Sequence, residues 1–567
     1  MSDFDLLVRG GTIVDGSGNP GFLGNIGVKD GVIVAVGNVD GTADEVLDAT
    51  GLTVTPGFVD IHTHYDGQVS WDDKLTPSSQ HGVTTVVMGN CGVGFAPAAP
   101  DRHDWLIALM EGVEDIPGAA LAEGIDWQWE TFPQYLETIG KKSFSIDVGA
   151  QVPHGALRAY VMGERGANRE PATADDMAEM ARLTAEAIEA GALGFTTSRT
   201  MNHRSRDGDP TPTLDAAHEE VLAIADAIGK TGKGVLQFVG DMIDLDAEFN
   251  LIEQSVSRSG RPASLSLVQA DVVPDRWRQI LDKIEGANEK GLPIKAQVAA
   301  RPVGLLLGLQ ASFNPFIGTK AYQEIADLPL DEKVAEMLKP ARKQAILSEQ
   351  PEKLQPLLLQ IANSPHKLFE LGNPAEYEPG PEHSIAARAK EMGIDPQELT
   401  YDLLVAEGGR KLLYFPVYNY TEGDLSNLLE MLTHKDTIYG LGDGGAHCGV
   451  ICDGSFVTTM MTHWVRDRTR GPKLPLEQVV HGYTRRTAEA VGLLDRGLIK
   501  EGLKADLNVI DLEGLTLKSP EMAFDLPAGG KRLVQFADGY KATIVSGEVI
   551  QRDGEFTDAR PGRLVRA

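Results

Sequence analysis

Two histidines separated by one residue, His62 and His64, have the spacing of a metal-binding pair. They follow a short apolar run at residues 57–61, which reads as a buried strand after a Pro-Gly turn. Side chains two positions apart on a strand project from the same face, so both imidazoles can reach one point just beyond the strand's end. Because imidazole nitrogens are common ligands of zinc, the pair predicts a metal site.

Two more candidate ligands stand at the ends of other predicted strands. Cys91 lies among glycines after the second strand, in MGNCGVG, and Asp443 lies at the tip of the eighth, in LGDGGAHC. A lone cysteine is more often a small buried hydrophobe, and an aspartate among glycines often only forms a turn. In a closed barrel, however, strands eight, one and two are neighbours. We therefore predict that Cys91 and Asp443 bind the metal with the two histidines, and that Asp443 is also the catalytic acid and base.

Donor-rich segments after the third, fourth and eighth strands predict the substrate contacts. Arg199 and His203, in the loop after the fourth strand, could hold a substrate carboxylate, and arginine can do so through two parallel hydrogen bonds. Arg158 and His154 follow the third strand, and His447 follows the eighth. For each of these residues the alternative is a structural hydrogen bond or salt bridge.

The elements that must position these residues alternate between short apolar strands and helical stretches, which is the pattern of βα units. Eight strand candidates occupy residues 57–61, 84–88, 145–152, 193–197, 234–239, 264–268, 294–298 and 437–441. Eight such units predict a TIM-type (β/α)8 barrel, which has its active site at the C-terminal ends of the strands. An open doubly wound sheet is the alternative, but it would not explain eight successive units.

Both ends of the chain show alternating apolar residues and Asp-Gly turns, unlike the middle. This pattern predicts that residues 1–54 and 485–567 form one small β domain beside a barrel at residues 55–484. Residues 303–436, between the seventh and eighth strands, are far longer than a βα connection and predict an insertion. The insertion could be a lid, a subunit interface or a surface decoration. Its apolar beginning, GLLLGLQASF, could receive the acyl or aromatic part of a substrate.

Composition and charge argue against several classes of protein. The 567 residues carry a net charge of −30, which opposes binding to nucleic acid or to an anionic membrane. Three cysteines cannot form a disulfide framework, and no apolar run approaches the ~20 residues of a membrane span. Without a charged-then-apolar leader at the N-terminus, we expect a cytoplasmic protein that acts on a small molecule and could form a homo-oligomer.

Seven stretches of the chain resemble the amidohydrolase superfamily and, within it, the N-acyl-D-amino-acid deacylases, or D-aminoacylases. They are GGTIVDGSG, TPGFVDIHTHYD, TTVVMGNCGVGFAP, HGALRAYVMG, GALGFTTS, GDGGAH and GLLDRGLIKEGLKADLNVID. The resemblance implies a TIM barrel with a small β-sandwich, a metal at the barrel mouth, and hydrolysis of an amide by metal-activated water. It assigns His62 and His64 as the H-x-H ligands, Cys91 as the metal-binding cysteine and Asp443 as the catalytic aspartate.

The sequence departs from this family at the fifth and sixth strands. Relatives place a metal-binding histidine at the end of each, whereas GVLQFVGD and ASLSLVQ place Phe238 and Leu267 there. Neither side chain can bind a metal. We therefore expect one divalent metal per chain, a zinc ion, in place of two.

Three functions fit these observations. The leading one is a metal-dependent hydrolase of a carbon–nitrogen bond other than a peptide bond, acting on an N-acyl amino acid or a related amide. The second keeps the fold and changes the bond to that of a cyclic amide, lactone or ester, since fold does not determine substrate. The third is a catalytically inactive binding protein, which the missing histidines of the fifth and sixth strands favour.

Overall fold

Eight parallel strands carry the candidate site in the computed structural model, which describes residues 2–349 and 356–567. Residue 1 and residues 350–355, the latter within the predicted insertion, lie outside the described residues. Each strand pairs in parallel with the next one along the chain. Barrel strands 1 to 8 are Phe58–Asp60, Val83–Met88, Asp147–Pro153, Gly194–Arg199, Val235–Gly240, Ala263–Leu267, Ile294–Val298 and Thr437–Tyr439. All eight predicted strands are present, with ends within one or two residues of the prediction.

The first and eighth strands meet just beyond their C-terminal ends. The backbone N–H of His64 donates to the carbonyl of Gly444 at 2.8 Å, and that of Asp443 donates to the carbonyl of His62 at 2.9 Å. Thr63 and Gly444 form a parallel bridge between these segments. The sheet therefore curls back on itself in a TIM-like arrangement, and strands eight, one and two become neighbours as predicted.

The barrel strands are buried on both faces because helices cover the outside of the sheet. Strands 2 and 3 are buried at every position. The helix Ala174–Glu189 begins with a capping box in which Thr173 and Asp176 exchange hydrogen bonds. The other α-helices outside the insertion are His103–Glu114, Gly118–Gly124, Phe132–Gly140, His154–Met162, Glu164–Ala167, His218–Thr231, Leu245–Ser259, Arg276–Glu289, Phe456–Thr459, Leu476–His481 and Thr487–Ala490. The helix Ser426–Thr433 lies at the end of the predicted insertion but packs Leu428 and Met431 into the main core. Two π-helical segments are Met460–Asp467 and Gly482–Arg486.

Short 3-10 helices occur at Gln68–Ser70, Ser78–His81, Asn90–Gly92, Pro381–His383, Asp453–Ser455 and Pro527–Gly529. Within the part of the chain that the structure describes, none of the helices has the length and apolarity needed to cross a bilayer.

The two ends of the chain meet in one nine-stranded sheet. The strand Thr53–Pro56 joins them, because it pairs with Phe4–Ile13 on one side and with Leu507–Ile510 on the other. The remaining strands of this sheet are Phe22–Lys29, Val32–Gly37, Ala43–Asp48, Tyr540–Val545, Glu548–Arg552 and Glu555–Phe556. Two small two-stranded sheets pair Thr516–Leu517 with Ala537–Asp538 and Glu521–Leu526 with Gly530–Val534. Both termini thus contribute to one sheet, while a two-layered sandwich and the domain boundaries stay predictions.

The segment between barrel strands 7 and 8 has a hydrophobic core of its own. Its antiparallel sheet contains Gly304–Leu307, Leu413–Pro416 and Phe369–Glu370. Its helices are Lys320–Gln323, Leu330–Met337, Pro340–Ser348, Pro356–Asn363, Ile385–Met392 and Pro396–Gly409. Leu305, Leu307 and Leu309 are buried in that core, so the apolar beginning of the insertion is not free to receive a substrate, contrary to the expectation. A role as lid or interface stays a prediction.

A buried ion pair fastens the insertion to the barrel. Glu378 accepts hydrogen bonds from Nε and Nη2 of Arg468 at 3.0 Å each, and Nε2 of His463 lies 2.9 Å from its Oε2. Burial on its own would raise the pKa of Glu378, but His463 and Arg468 lower it from 4.5 to about 2. The folded-state pKa lies below the ordinary value, so this stabilisation is complete above pH 4.5 and is lost as the pH falls toward 2.

We expect the substitution Arg468→Met to destabilise the protein by about 3–5 kcal/mol at pH 7, because it leaves the buried Glu378 carboxylate with only His463 and the backbone N–H of Leu425 as partners. Unfolding by urea, followed by tryptophan fluorescence, measures the change. The control is Arg182→Met, which removes exposed ion pairs to Glu179 and Glu186 and should cost less than about 1 kcal/mol. Equal midpoints for the two variants would contradict this account.

Candidate active site

His62 and His64 leave the end of barrel strand 1 side by side, with ring centroids 5.6 Å apart. One ligand atom from each, together with Sγ of Cys91, forms a group whose members all lie within 4.8 Å of one another. Within this group, Nε2 of His62 lies 3.3 Å from Sγ of Cys91. Among the residues described by the structure, this is the one cluster of three or more His, Cys, Asp or Glu side chains arranged to hold an ion.

Asp443 completes the group from the end of barrel strand 8. Its Oδ1 lies 3.4 Å from Nε2 of His62 and 3.5 Å from Nε2 of His64. This oxygen and both ring nitrogens of His64 are buried without a hydrogen-bond partner among the described residues. Buried polar atoms normally have partners, and a cation beside Oδ1 of Asp443 and Nε2 of His64 would satisfy these two atoms. The residues present therefore fit a metal ion.

Glycines allow the end of strand 8 to come this close to strand 1. A Cβ atom at Gly442 would lie 2.5 Å from Oδ2 of Asp60, and one at Gly444 would lie 2.4 Å from Oγ of Ser78. Asp443 between them has φ of +45°, a conformation that is uncommon for residues other than glycine and is frequent at functional sites. The GDGG sequence thus places the Asp443 carboxylate beside His62 and His64.

Hydrogen-bond partners decide which nitrogen of each histidine faces the centre. The amide of Gln297 donates through Nε2 to Oγ of Ser264, so its Oε1, 2.7 Å from Nδ1 of His62, accepts the proton of that nitrogen. The lone pair on Nε2 of His62 is then free for a metal. Nδ1 of His64 faces Oε1 of Glu114 at 3.3 Å, which leaves its Nε2 free in the same way. Such outer partners are typical of metal-binding histidines.

Burial and neighbouring charge set the protonation of the group. Burial lowers the pKa of His62 to about 4, so its ring is neutral at pH 7. Burial opposes ionisation of Asp443, but the nearby rings of His64 and His62 hold the pKa of this carboxyl well below its usual range. Burial raises the pKa of Cys91 to about 12. The cysteine would therefore bind as a thiolate only when a cation displaces its proton.

His203 and His447 lie near this group, where the sequence placed substrate contacts. Nδ1 of His203 lies 2.8 Å from Oγ of Ser198. Burial, together with the nearby His447 and His64, lowers the pKa of His203 to about 3, so it is a neutral hydrogen-bonding group at pH 7. His447 is partly exposed and lies 3.5 Å from the Glu114 carboxylate through Nε2. A substrate contact by either histidine stays a proposal.

Arg199, by contrast, lies on the outer side of barrel strand 4. Thr196 on the inner side accepts a hydrogen bond from the backbone of Gly92 at 3.0 Å, and successive residues of a strand face opposite sides. Arg199 instead donates from Nη1 to the carbonyl of Ala216 at 2.5 Å, next to the helix His218–Thr231. The substrate contact predicted for Arg199 finds no support in this geometry.

His154 and Arg158 lie on the same outer side and are buried. Nδ1 of His154 lies 2.8 Å from Oγ1 of Thr197, and its Nε2 lies 2.8 Å from Oε1 of Glu220. Nη1 of Arg158 donates to the other oxygen of Glu220. These contacts join the two residues to the helix His218–Thr231, as the structural alternative in the sequence analysis describes, and a substrate contact by either residue stays a prediction.

Barrel strands 5 and 6 add no further ligand. Phe238 and Leu267 lie on strands 5 and 6, as the sequence predicted, and both are buried. Gln237 on strand 5 lies behind His62 instead, with Nε2 3.5 Å from Nδ1, the nitrogen that faces away from Cys91 and Asp443. Neither strand contributes a His, Cys, Asp or Glu to the ligand group of the described chain.

Glu114 is the member of the site that the sequence analysis missed. It is the last residue of the helix His103–Glu114 and is only 1% exposed. The signal lies in the helix pattern, because Glu114 follows Leu106 and Met110 at intervals of four and so belongs to the apolar, buried face. A carboxylate at such a position needs a partner, and His64 supplies it.

Comparison with known proteins identifies relatives over the whole chain. An uncharacterised protein of Mycobacterium tuberculosis is 28% identical over 622 aligned residues, covering 100% of this chain and 96% of that protein. D-aminoacylase of Alcaligenes xylosoxydans xylosoxydans is 37% identical over 230 residues, covering 40% of this chain and 43% of that enzyme.

The fold is also that of solved deacylases. N-acyl-D-glutamate deacylase of Bordetella bronchiseptica, complexed with zinc and a phosphonate inhibitor, matches with a TM-score of 0.65 and 22% identity, and the match covers 100% of both chains. The model of the amidohydrolase family matches residues 45–551, which include the barrel and all the residues of the candidate site. The resemblance read from the sequence is thereby confirmed, and this chain belongs to the amidohydrolase family.

Proposed function

We propose that this protein is a metal-dependent hydrolase of an N-acyl amino acid or a related amide. As a member of the amidohydrolase family it is a hydrolase of carbon–nitrogen bonds other than peptide bonds, which removes the inactive binding protein from the alternatives. The observation that carries the proposal is the convergence of buried, unpartnered polar atoms from His64 and Asp443 beside His62 and Cys91.

The donor set of two imidazoles, a thiolate and a carboxylate suits zinc. His62, His64, Cys91 and Asp443 would hold one ion per chain, since strands 5 and 6 contribute Phe238, Gln237 and Leu267 where further ligands would be needed. A bound zinc ion would supply Lewis acidity, lowering the pKa of water and polarising the substrate carbonyl. The zinc in the structurally similar deacylase supports this choice of metal.

Asp443 is the proposed acid and base of the reaction. It is ionised at neutral pH, and its position beside both histidine Nε2 atoms puts it within reach of a water molecule at the metal site. A carboxylate so placed takes the proton of the attacking water and returns it to the amine that leaves, because an amine is a poor leaving group until it is protonated.

Substrate recognition is proposed for the mouth of the barrel. His203 and His447 offer hydrogen bonds to a polar group such as a carboxylate. Met201, Ile243 and Val272 are exposed on the loops that follow strands 4, 5 and 6, at the same end of the barrel. They present apolar surface to an acyl group, which the buried leucines of the insertion do not. The names of the related deacylases support an N-acyl amino acid as the substrate class.

The substitution Asp443→Asn should lower kcat by about 10²-fold or more while the metal stays bound, because an amide cannot take up the proton. The assay measures amine release from a panel of N-acyl D- and L-amino acids, cyclic amides and esters. We expect the wild type to hydrolyse members of the first group. Hydrolysis of cyclic amides or esters alone would replace the proposed substrate class, and near-full activity of Asp443→Asn would refute the role of this residue.

Replacing both His62 and His64 by alanine should abolish metal binding and activity together, because the pair supplies half of the proposed ligands. Elemental analysis of protein purified without chelator should find one equivalent of zinc per wild-type chain and none in the double variant. The control is His383→Ala, an exposed histidine beside Glu382, which should retain the metal. Two tightly held equivalents in the wild type would contradict the single ion, and activity that survives chelation would contradict the proposed chemistry.

A further inference from the structure

We propose that Glu114 is a positioning residue that orients two histidines at once. One is His64, a proposed metal ligand, and the other is His447, which lies next to the proposed ligands. The inference rests on the proposed function, in which His64 binds a cation. Glu114 comes from neither the strands nor the strand-end loops that provide the ligands. It reaches the site from the end of the helix His103–Glu114.

One carboxylate bridges the two rings. Oε1 of Glu114 lies 3.3 Å from Nδ1 of His64, and Oε2 lies 3.5 Å from Nε2 of His447. Glu114 is buried, and neither its Oε1 nor Nδ1 of His64 has a hydrogen-bond partner among the described residues, so the two atoms face each other across 3.3 Å as an ion pair. A buried carboxylate is unfavourable unless a donor or a cation faces each oxygen, so the two histidines account for its presence here.

Glu114 is an orienting group and not a ligand, because it faces the side of the His64 ring that points away from the metal ligands. It lies at Nδ1, whereas Nε2 of the same ring points to Asp443. The group of atoms within 4.8 Å of one another contains His62, His64 and Cys91 and does not include Glu114. A carboxylate that accepts the Nδ1 proton holds the ring in place and makes Nε2 a stronger electron donor to a metal.

The two histidines proposed to bind the metal differ in the group that faces their Nδ1 atoms. His62 has the neutral amide of Gln297 at its Nδ1, and His64 has a carboxylate. Charge-assisted hydrogen bonds are stronger than neutral ones, so Glu114 should contribute more to metal affinity than an amide in its place could.

Backbone contacts hold the carboxylate in position. The N–H of His447 donates to the carbonyl of Glu114. The next residue, Asp115, accepts from the backbone N–H of Gly449 at 2.9 Å and from Oγ of Ser312 at 3.0 Å. The end of this helix is therefore tied to the loop after strand 8 and to the insertion, and the placement of His447 is coupled to that of His64.

The test compares zinc affinity of metal-free protein, measured by competition with a chromophoric chelator, and the visible spectrum of the cobalt-loaded form. Glu114→Gln keeps the volume and removes the charge, and zinc should bind about 10- to 100-fold more weakly, with a changed cobalt spectrum. Glu114→Asp keeps the charge one methylene further back and should retain more affinity than Glu114→Gln. The matched control is Glu111→Gln, on the same helix, whose carboxylate pairs with Arg206. It should bind zinc like the wild type.

Thermal unfolding of the metal-free variants separates loss of fold from loss of affinity. Wild-type zinc affinity and an unchanged cobalt spectrum in Glu114→Gln would overturn the inference and leave the proposed function intact. Weaker binding by Glu114→Asp than by Glu114→Gln would also overturn it, because side-chain volume and not charge would then be decisive. Absence of zinc binding by the wild type would overturn the proposed function as well.

Discussion

The candidate site depends on the closure of the sheet between barrel strands 1 and 8. Two backbone hydrogen bonds, from Asp443 to His62 and from His64 to Gly444, set the register of these segments. This register, together with the left-handed backbone conformation of Asp443, puts its carboxylate beside both histidine Nε2 atoms. A slip of one residue would turn the carboxylate away. The glycines around Asp443 permit this approach, because a Cβ at Gly442 or Gly444 would collide with the side chain of Asp60 or of Ser78.

Burying the candidate metal ligands costs electrostatic free energy that the chain alone does not fully offset. Asp443, Glu114 and the two histidines are removed from water, and several of their atoms lack partners in the chain. The buried Glu378, by contrast, accepts hydrogen bonds from Arg468 at both oxygens, whereas Oδ1 of Asp443 has no such partner, and a cation would supply it. The outer side of the barrel differs from the candidate site in the same way, because there the Glu220 carboxylate pairs with both His154 and Arg158.

Local patterns in the sequence were sufficient to predict the eight strands, the histidine pair and the positions of Cys91 and Asp443, because each depends on strand ends and short spacings. The side of the strand on which Arg199 lies could not be predicted. Strand Gly194–Arg199 is buried on both faces and shows no alternation of apolar and polar residues that would distinguish inside from outside. Glu114 was missed because its partner, His64, is distant in sequence, and only its place on an apolar helix face indicated burial.

The most direct test of the central claim is an anomalous-scattering difference map recorded at the zinc edge from crystals of the zinc-loaded protein. The account predicts one strong peak per chain, within bonding distance of Nε2 of His62 and of His64, with the Asp443 carboxylate and Sγ of Cys91 around it. Bond lengths should be about 2.0–2.1 Å to nitrogen and about 2.3 Å to sulfur. A second peak of equal height, or a single peak away from the two histidines, would contradict it.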